Sequence, residues 1–395
     1  MTKKIIVSGV GCCLVDLLYN DIDFSSEMFR PYLSLTRGDG GLTPGHLVFN
    51  EEFTQFAGSS FDAVLNRITG GRTPDKENIG GPSIVSLIHA AQLTDPGSCE
   101  IRFYGRGGHD EAGEYLISAL RKTPVILRDY QLTAKSTPST VVLSDPNFDH
   151  GHGERIFINS IGAAWDYKPE DLDDDFFKSD LVVFGGTALV PVIHDHLTGL
   201  LKKAKSNGCI TLVNTVFDFR NEKRNPGQRW PLGESDDSYP YIDLLITDRE
   251  EALRLSGQST TEAAIRFFQE KKVPALIITN GSKNITVYSN GQFFEPLSLE
   301  MPVSLKVTDE LKSNKDGDTT GCGDNFVGGV IASIVNQLRK NIHRPDLKEA
   351  GSWGIVSGGF ACFYMGGTYF EQEQGEKQAK IKSYYDAYLE QLEGL

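Results

Sequence analysis

Asp318-Thr319-Thr320-Gly321-Cys322-Gly323-Asp324 is a polar heptad, and the run after it changes character at once. Phe326, Val327, Val330, Ile331, Ile334, Val335 and Leu338 recur at the spacing of one α-helical face. The heptad therefore reads as a loop that delivers the chain into a helix N-terminus. The first backbone N–H groups there lack intrahelical acceptors, and the positive end of the helix dipole favours an anion. Asp324 falls in the first turn, where an acidic residue can also serve as a plain cap. Gly321 and Gly323 flank a single residue and permit close backbone approach to a ligand. Gly328 and Gly329 inside the helix each cost about 1 kcal/mol relative to Ala, which predicts a second element packed very close to them.

Composition narrows the classes. A chain of 395 residues, 39% hydrophobic and 23% charged, buries enough surface to fold without a metal or disulfide staple. Its net charge of −14, from 53 acidic against 39 basic residues, argues against a nucleic-acid partner and leaves room for a local basic pocket. The six cysteines (Cys12, Cys13, Cys99, Cys209, Cys322 and Cys362) include no C-x-x-C and read as reduced thiols. The apolar run at Ile5 to Val7 is too short for a signal peptide, and no stretch approaches the roughly 18 apolar residues of a membrane span. The expectation is a soluble, cytoplasmic protein with no membrane partner.

From the heptad outward, the chain alternates short apolar runs with helical segments. Ile5 to Val10 reads as a buried first strand, with Asp16 a polar residue just past its end. A dinucleotide fingerprint would need a third glycine where Leu14 stands, which weakens a dehydrogenase reading. Residues 17–78 show no sustained periodicity, many turn signals and scattered aromatics, and read as an irregular insertion acting as a lid. Gly80-Gly81-Pro82 opens a helix carrying Ile84, Leu87, Ile88 and Ala91 on one face. Glu100 to Tyr104 reads as a strand, Gly105 to Asp110 as a loop, and Glu111 to Leu120 as a helix. Thr140 to Leu143 and Arg155 to Ile158 form a strand pair. His150 and His152 share the glycine-rich turn between them, and His194 and His196 flank Asp195; neither pair has a third metal ligand in sequence.

Beyond residue 180 the strands Leu181–Phe184, Ile210–Val213, Leu244–Ile246 and Ala275–Thr279 alternate with helices near 191–206, 249–255 and 260–271. Continuous apolar strands in such alternation indicate a parallel sheet covered on both faces. Ile285–Tyr288 and Gln292–Phe294 read as an edge hairpin, and two helices (349–365 and 374–392) close the chain.

An Asp after the first strand, a glycine pair entering a helix, and G-x-G-D entering a late helix resemble the ribokinase family, the pfkB-type carbohydrate kinases that include adenosine kinases. Asp318 to Asp324 is similar to that family's D-T-x-G-A-G-D, with Cys322 in the alanine place. Gly105 to Gly113 resembles its G-x-D-x-x-G segment, and Glu154-Arg155 with Gly162-Ala163 its lid strands. Asp248 to Ala252 resembles its N-x-x-E motif, and Thr279-Asn280-Gly281 its T-x-G nucleotide segment. Departures fall on the substrate side: Val85 stands where the family's helix carries Asn, and Asn214 where sugar kinases often have Asp.

The resemblance implies a single α/β domain over 1–395, a ribokinase-like three-layer sandwich with a mostly parallel central sheet and a small β-rich lid from about 17–78 and 138–164. It implies an ATP- and Mg²⁺-dependent transfer of the γ-phosphate to a hydroxyl of a sugar or sugar-like substrate; the alternatives are a nucleoside kinase or a non-catalytic sugar- or nucleotide-binding protein. Asp324 becomes the base, with Gly321, Cys322 and Gly323 as the anion hole. Asp16, Gly80 and Gly81 become substrate-binding, Thr279, Gly281 and Asp248 nucleotide-binding, and Glu251 the Mg²⁺ residue acting through water. Lid-mediated homodimerisation is known in the family. A Walker A sequence is absent from the chain, so the P-loop route to this chemistry is excluded.

Overall fold

The computed structural model describes residues 4–36, 38–151, 153–313 and 317–394; His152, one of the two turn histidines, lies outside them. In chain order the strands are β1 (Ile5–Gly11), β2 (Leu14–Tyr19), β3 (Leu47–Phe49), β4 (Lys76–Gly80), β5 (Cys99–Gly108), β6 (Ile126–Thr133) and β7 (Ser139–Asp145). They continue as β8 (Glu154–Ser160), β9 (Leu181–Gly185), β10 (Ile210–Asn214), β11 (Leu244–Asp248), β12 (Ala275–Thr279), β13 (Ile285–Ser289) and β14 (Leu297–Met301).

Among the described residues these make two sheets. The larger has the order β14-β13-β12-β11-β10-β9-β1-β5-β6, parallel throughout except at the β12-β13-β14 edge. Strand pleating sends alternate residues to opposite faces. Val183, Leu212, Leu244, Ile246 and Ile277 enter one apolar core with the helices Pro82–Gln92, Cys322–Arg339 and Leu347–Ala361. Val182, Phe184, Val213, Leu245, Leu276 and Ile278 enter the other, with the helices Leu197–Ser206, Arg249–Ser256 and Thr261–Glu270. Both faces are covered, which is why these strands read as unbroken apolar runs.

The smaller sheet has the order β3-β8-β7-β2-β4. Its odd and even positions differ in kind. Tyr19, Val141, Leu143, Ile156 and Ile158 join Phe24, Phe29, Tyr32, Phe53 and Val64 in a separate core. The opposite face carries polar side chains: Asn78 pairs with Asp16, Asp16 with Thr140, and Thr140 with Asn159, so the four form one row across β4, β2, β7 and β8.

Several expectations need correction. Asp16 is not in a loop beyond the first strand: the chain turns at Cys12-Cys13 and runs straight into β2, where Asp16 sits in mid-strand. The stretch 17–78 is not irregular, for it contains the helices Asn50–Ala57 and Phe61–Thr69. Each is about two turns long and ends on a glycine, Gly58 at φ 63° and Gly70 at φ 67°, so both read as turn signals in sequence. The aromatics of that stretch divide: Phe24, Phe29, Tyr32 and Phe53 pack into the far-side core, while Phe49 lines a cavity with Phe217 and Phe219. The Gly105–Asp110 loop belongs largely to β5, and the edge hairpin pairs β13 with Leu297–Met301 rather than with Gln292–Phe294.

Candidate functional site

The heptad lies between the two sheets. Gly321 caps the helix Cys322–Arg339 with φ 72°, a left-handed conformation that favours glycine. A Cβ at Gly321 would also meet Gly367 Cα at 2.5 Å, so the loop rests directly on the segment that follows the helix Leu347–Ala361. The interior glycines explain themselves the same way. A Cβ at Gly328 would lie 2.6 Å from His89 Cβ and from the Ser86 carbonyl, and one at Gly329 2.6 Å from the Trp353 carbonyl. Three helices close on each other through these positions, which holds the loop at a fixed height.

Polar groups lock the loop from beneath. Asn325 donates to the carbonyls of Gly321 and Gly367, both at 2.8 Å. Its own oxygen accepts from Lys377 at 3.0 Å and from the Tyr364 hydroxyl at 3.1 Å. Lys377 is buried, also donates to Gln92, and desolvation pulls its pKa down to about 7. Within the loop, Thr320 N donates to Asp318 Oδ1 at 2.7 Å.

From above, β8 supplies Arg155. Its guanidinium donates to the hydroxyls of Thr319 and Thr320 and lies 3.6 Å from Asp318 Oδ1. A guanidinium thus stands over a helix start, an arrangement whose charge and dipole both favour an anion. Sequence reasoning missed Arg155, Asn325 and Lys377, because a single basic or amide residue carries no local signature.

Asp324 lies partly exposed in the first turn, and desolvation pushes its carboxyl up to about 7. Asp16 faces it from the small sheet, nearly buried, and rises to about 8 through desolvation and then the charges of Asp324 and Asp318. Gly80 leaves room for that carboxylate: a Cβ there would sit 2.0 Å from Asp16 Oδ2. Gly81, at φ 106°, turns the chain into the helix Pro82–Gln92, and a Cβ on it would strike the Cys12 carbonyl at 2.6 Å. Asn159 donates to Thr140 at 2.9 Å while its own oxygen, though buried, has no partner among the described residues. In the polar row Asp16 and Asn159 thus leave hydrogen-bonding capacity on this face. Asn78 is spent, its amide donating to the carbonyls of Met365 and Thr368 and its oxygen accepting from Ile79 N. Val85 is buried and touches Gly367, so it supports the loop from below rather than joining this row.

Asp248 and Thr279 pair across the carboxyl ends of β11 and β12. This edge is where open α/β sheets bind ligands. Asp248 caps the helix Arg249–Ser256, accepting from Glu251 N at 2.8 Å in a capping box. Glu251 is buried, accepts from the Thr215 hydroxyl, and rises to about 8, mainly by desolvation and then through Asp248, with a smaller contribution from Asp324. Its carboxyl and the hydroxyls of Thr215 and Thr247 are oxygen donors, the kind Mg²⁺ takes, although no group of three or more metal-ligating side chains gathers among the described residues. Gly281, at φ 56°, has open space about its Cβ direction.

Other motif residues turn out to hold the framework. Asp110 caps the helix Glu111–Leu120, accepting from Gly113 N at 2.8 Å and from Thr137 N at 2.7 Å. A Cβ at Gly113 would meet the Gly108 carbonyl at 2.1 Å. His194 is buried, hydrogen-bonds Thr187 and accepts from Gly233 N, and His196 bonds the Val192 carbonyl. No helix among the described residues is long and apolar enough to cross a membrane.

Known proteins resemble the chain in sequence and in fold. The sequence profile of the pfkB family carbohydrate kinases matches residues 75–374. An adenosine kinase of Schizosaccharomyces pombe is 24% identical over 272 residues, spanning 64% of this chain and 73% of its own length. A probable fructokinase-5 of Arabidopsis thaliana is 23% identical over 355 residues, 86% of this chain and 98% of that one. A probable sugar kinase of Rhizobium etli shares the fold with a TM-score of 0.70 at 16% identity, covering 97% of this chain and 100% of its own.

Proposed function

Because the chain belongs to the pfkB family of carbohydrate kinases, we propose that the cleft between its two sheets transfers the γ-phosphate of ATP to a hydroxyl of a sugar or sugar-like substrate. The observation that carries the reading is the facing of Asp324, in the first turn of a helix, and Asp16, on the small sheet, two carboxylates that desolvation raises to about 7 and about 8. Asp16, with Thr140 and Asn159, binds the substrate's hydroxyls, and Gly80 and Gly81 let it approach the β4 backbone. Asp324 accepts the proton of the attacking hydroxyl as its oxygen bonds to the γ-phosphorus. The bond from phosphorus to the β,γ-bridging oxygen breaks, and ADP leaves. The N–H groups of Gly321, Cys322 and Gly323, with the Arg155 guanidinium, stabilise the charge on the transferring group. A pKa near 7 suits the base, which is ionised at working pH yet strong enough to take a proton.

The nucleotide lies along Asp248, Thr279 and Gly281 at the carboxyl ends of β11 and β12. Mg²⁺, held through water at Glu251, would neutralise phosphate charge there. The smaller sheet acts as the lid, and its Arg155 contact with the heptad is the closed arrangement.

The polar row supports the sugar reading because it offers hydrogen bonds to hydroxyls; on the same face Phe49, in register with Asn159, is the ring on which the base of a nucleoside would stack. ADP release with Mg-ATP, measured across sugars, sugar acids and nucleosides for wild type and Asp324→Asn, tests the proposal. Turnover of sugars, lost in the variant, is the expected result. A folded wild type inert to the whole panel would point to a binding protein instead, and equal turnover in the variant would sink the base assignment.

A further inference from the structure

Cys322 sits in the anion hole, at the first position of its helix, and Cys362 ends the helix Leu347–Ala361. Their sulfurs are 3.2 Å apart, a thiol–thiol hydrogen bond between residues far apart in sequence. Both are partly exposed, whereas Cys12, Cys13, Cys99 and Cys209 are buried. We propose that Cys322 and Cys362 are a redox modification site, and that a peroxide converts them to a disulfide which disables the anion hole.

Position supports this from both ends. The loop that holds Cys322 is braced by Asn325, by Arg155 and by close backbone contact with Gly367, with little slack to absorb a shift. A disulfide needs its sulfurs at about 2.05 Å and a fixed dihedral, so the pair must close by about 1.1 Å from its reduced separation. Cys322 N, whose bond to the Thr319 carbonyl is long at 3.4 Å, belongs to the loop assigned to the transferring phosphate, and a displacement of about 1 Å at a positioned group lowers rate by about 10²-fold. The shared hydrogen bond favours the pair's first ionisation and pushes up the second. The Arg155 charge favours a thiolate on either sulfur, while Asp318 opposes it. One reactive thiolate beside one resolving thiol is the arrangement that two-step oxidation requires.

The chemistry balances with hydrogen peroxide as oxidant. One thiolate attacks a peroxide oxygen, the O–O bond breaks, and the departing hydroxide takes a proton to become water. The resulting sulfenic sulfur is attacked by the second sulfur. The S–S bond forms, the S–O bond breaks, and the hydroxide leaves with the second thiol's proton as water. Two electrons pass from the two sulfurs to the peroxide, and a small dithiol reverses the change.

The inference rests on the kinase reading for its effect on rate, but the linkage itself is read independently by mass. Wild-type protein is treated with hydrogen peroxide, then assayed for turnover and digested without reduction for mass spectrometry. The expected result is a Cys322–Cys362 linked peptide, a loss of turnover between about tenfold and 10²-fold, and recovery with dithiothreitol. Cys362→Ser keeps its turnover under the same dose, and Cys322→Ala, whatever its starting rate, shows no further reversible loss. The proposal is overturned if no linked peptide forms, if the linked protein turns over at the reduced rate, or if Cys362→Ser is inactivated as fast as wild type. Absence of turnover before treatment, with the linked peptide present, would count against the kinase reading and not the linkage.

Discussion

The two walls of the cleft are built in opposite ways. The phosphate wall is one unbroken heptad, and most of its chemistry is backbone: a left-handed Gly321, a helix start, and N–H groups that any small residue supplies. The hydroxyl wall, as proposed, is made of side chains from Asp16, Thr140 and Asn159, which come together only because three strands align in register. A backbone site tolerates Cys for Ala at position 322, since the side chain takes no part. A side-chain site changes its ligand with each substitution. The difference separates what is general in the reaction from what is specific to the substrate, and it can be tested wall by wall.

The largest expected effect lies on the phosphate wall. Asp324→Asn lowers kcat by about 10²–10⁴-fold, with the circular-dichroism spectrum retained. Arg155→Ala follows, with a loss of about 10²–10³-fold in kcat, and Arg155→Lys does not restore it because a point charge cannot span both threonine hydroxyls. On the hydroxyl wall the change appears in KM. Asp16→Asn raises it by about 10–100-fold, the cost of leaving a buried hydrogen-bond partner unsatisfied. Thr140→Val raises it by about 3–10-fold and alters the ranking of sugars in the panel. If Arg155→Ala instead moved KM alone, or Asp16→Asn moved kcat alone, the division between walls would be wrong.

Proton linkage gives two smaller tests. Asp324 must be ionised to accept a proton, and its pKa lies near 7, so kcat/KM falls about tenfold per unit as pH drops below that value. For stability the sign is reversed. The folded pKa lies above the ordinary carboxylate value, so the folded state holds this proton more tightly than the unfolded chain does. That contribution is whole below the ordinary value and is lost as pH rises through about 7. Asp324→Asn therefore raises Tm at pH 8 by about 1–3 °C while abolishing turnover. A scanning-calorimetry trace that fell instead would mean that the carboxylate is satisfied where it sits.

Buried strands and long periodic helices were legible in sequence, since β9 to β12 each bury both faces and Cys322–Arg339 keeps one apolar stripe. The helices Asn50–Ala57 and Phe61–Thr69 were not, because two turns give a period too few repeats to show. In sequence Asp16 reads as lying just past the end of β1 rather than within β2, because the Cys12-Cys13 turn carries no glycine or proline to mark a new strand. Gly328 and Gly329 were read as a close approach, and His89 and Trp353 are what approaches.

By itself the sequence determined the loop-to-helix turn of the heptad, because a helix start, its glycines and its acid are neighbours along the chain and their geometry is local. Only the tertiary structure decided the rest. Arg155 over Thr319 and Thr320, Lys377 under Asn325, the polar row across the small sheet, and Cys362 against Cys322 are all long-range contacts. The physical reason is that strand register and helix packing choose such partners, and neither leaves a trace in the spacing of nearby residues.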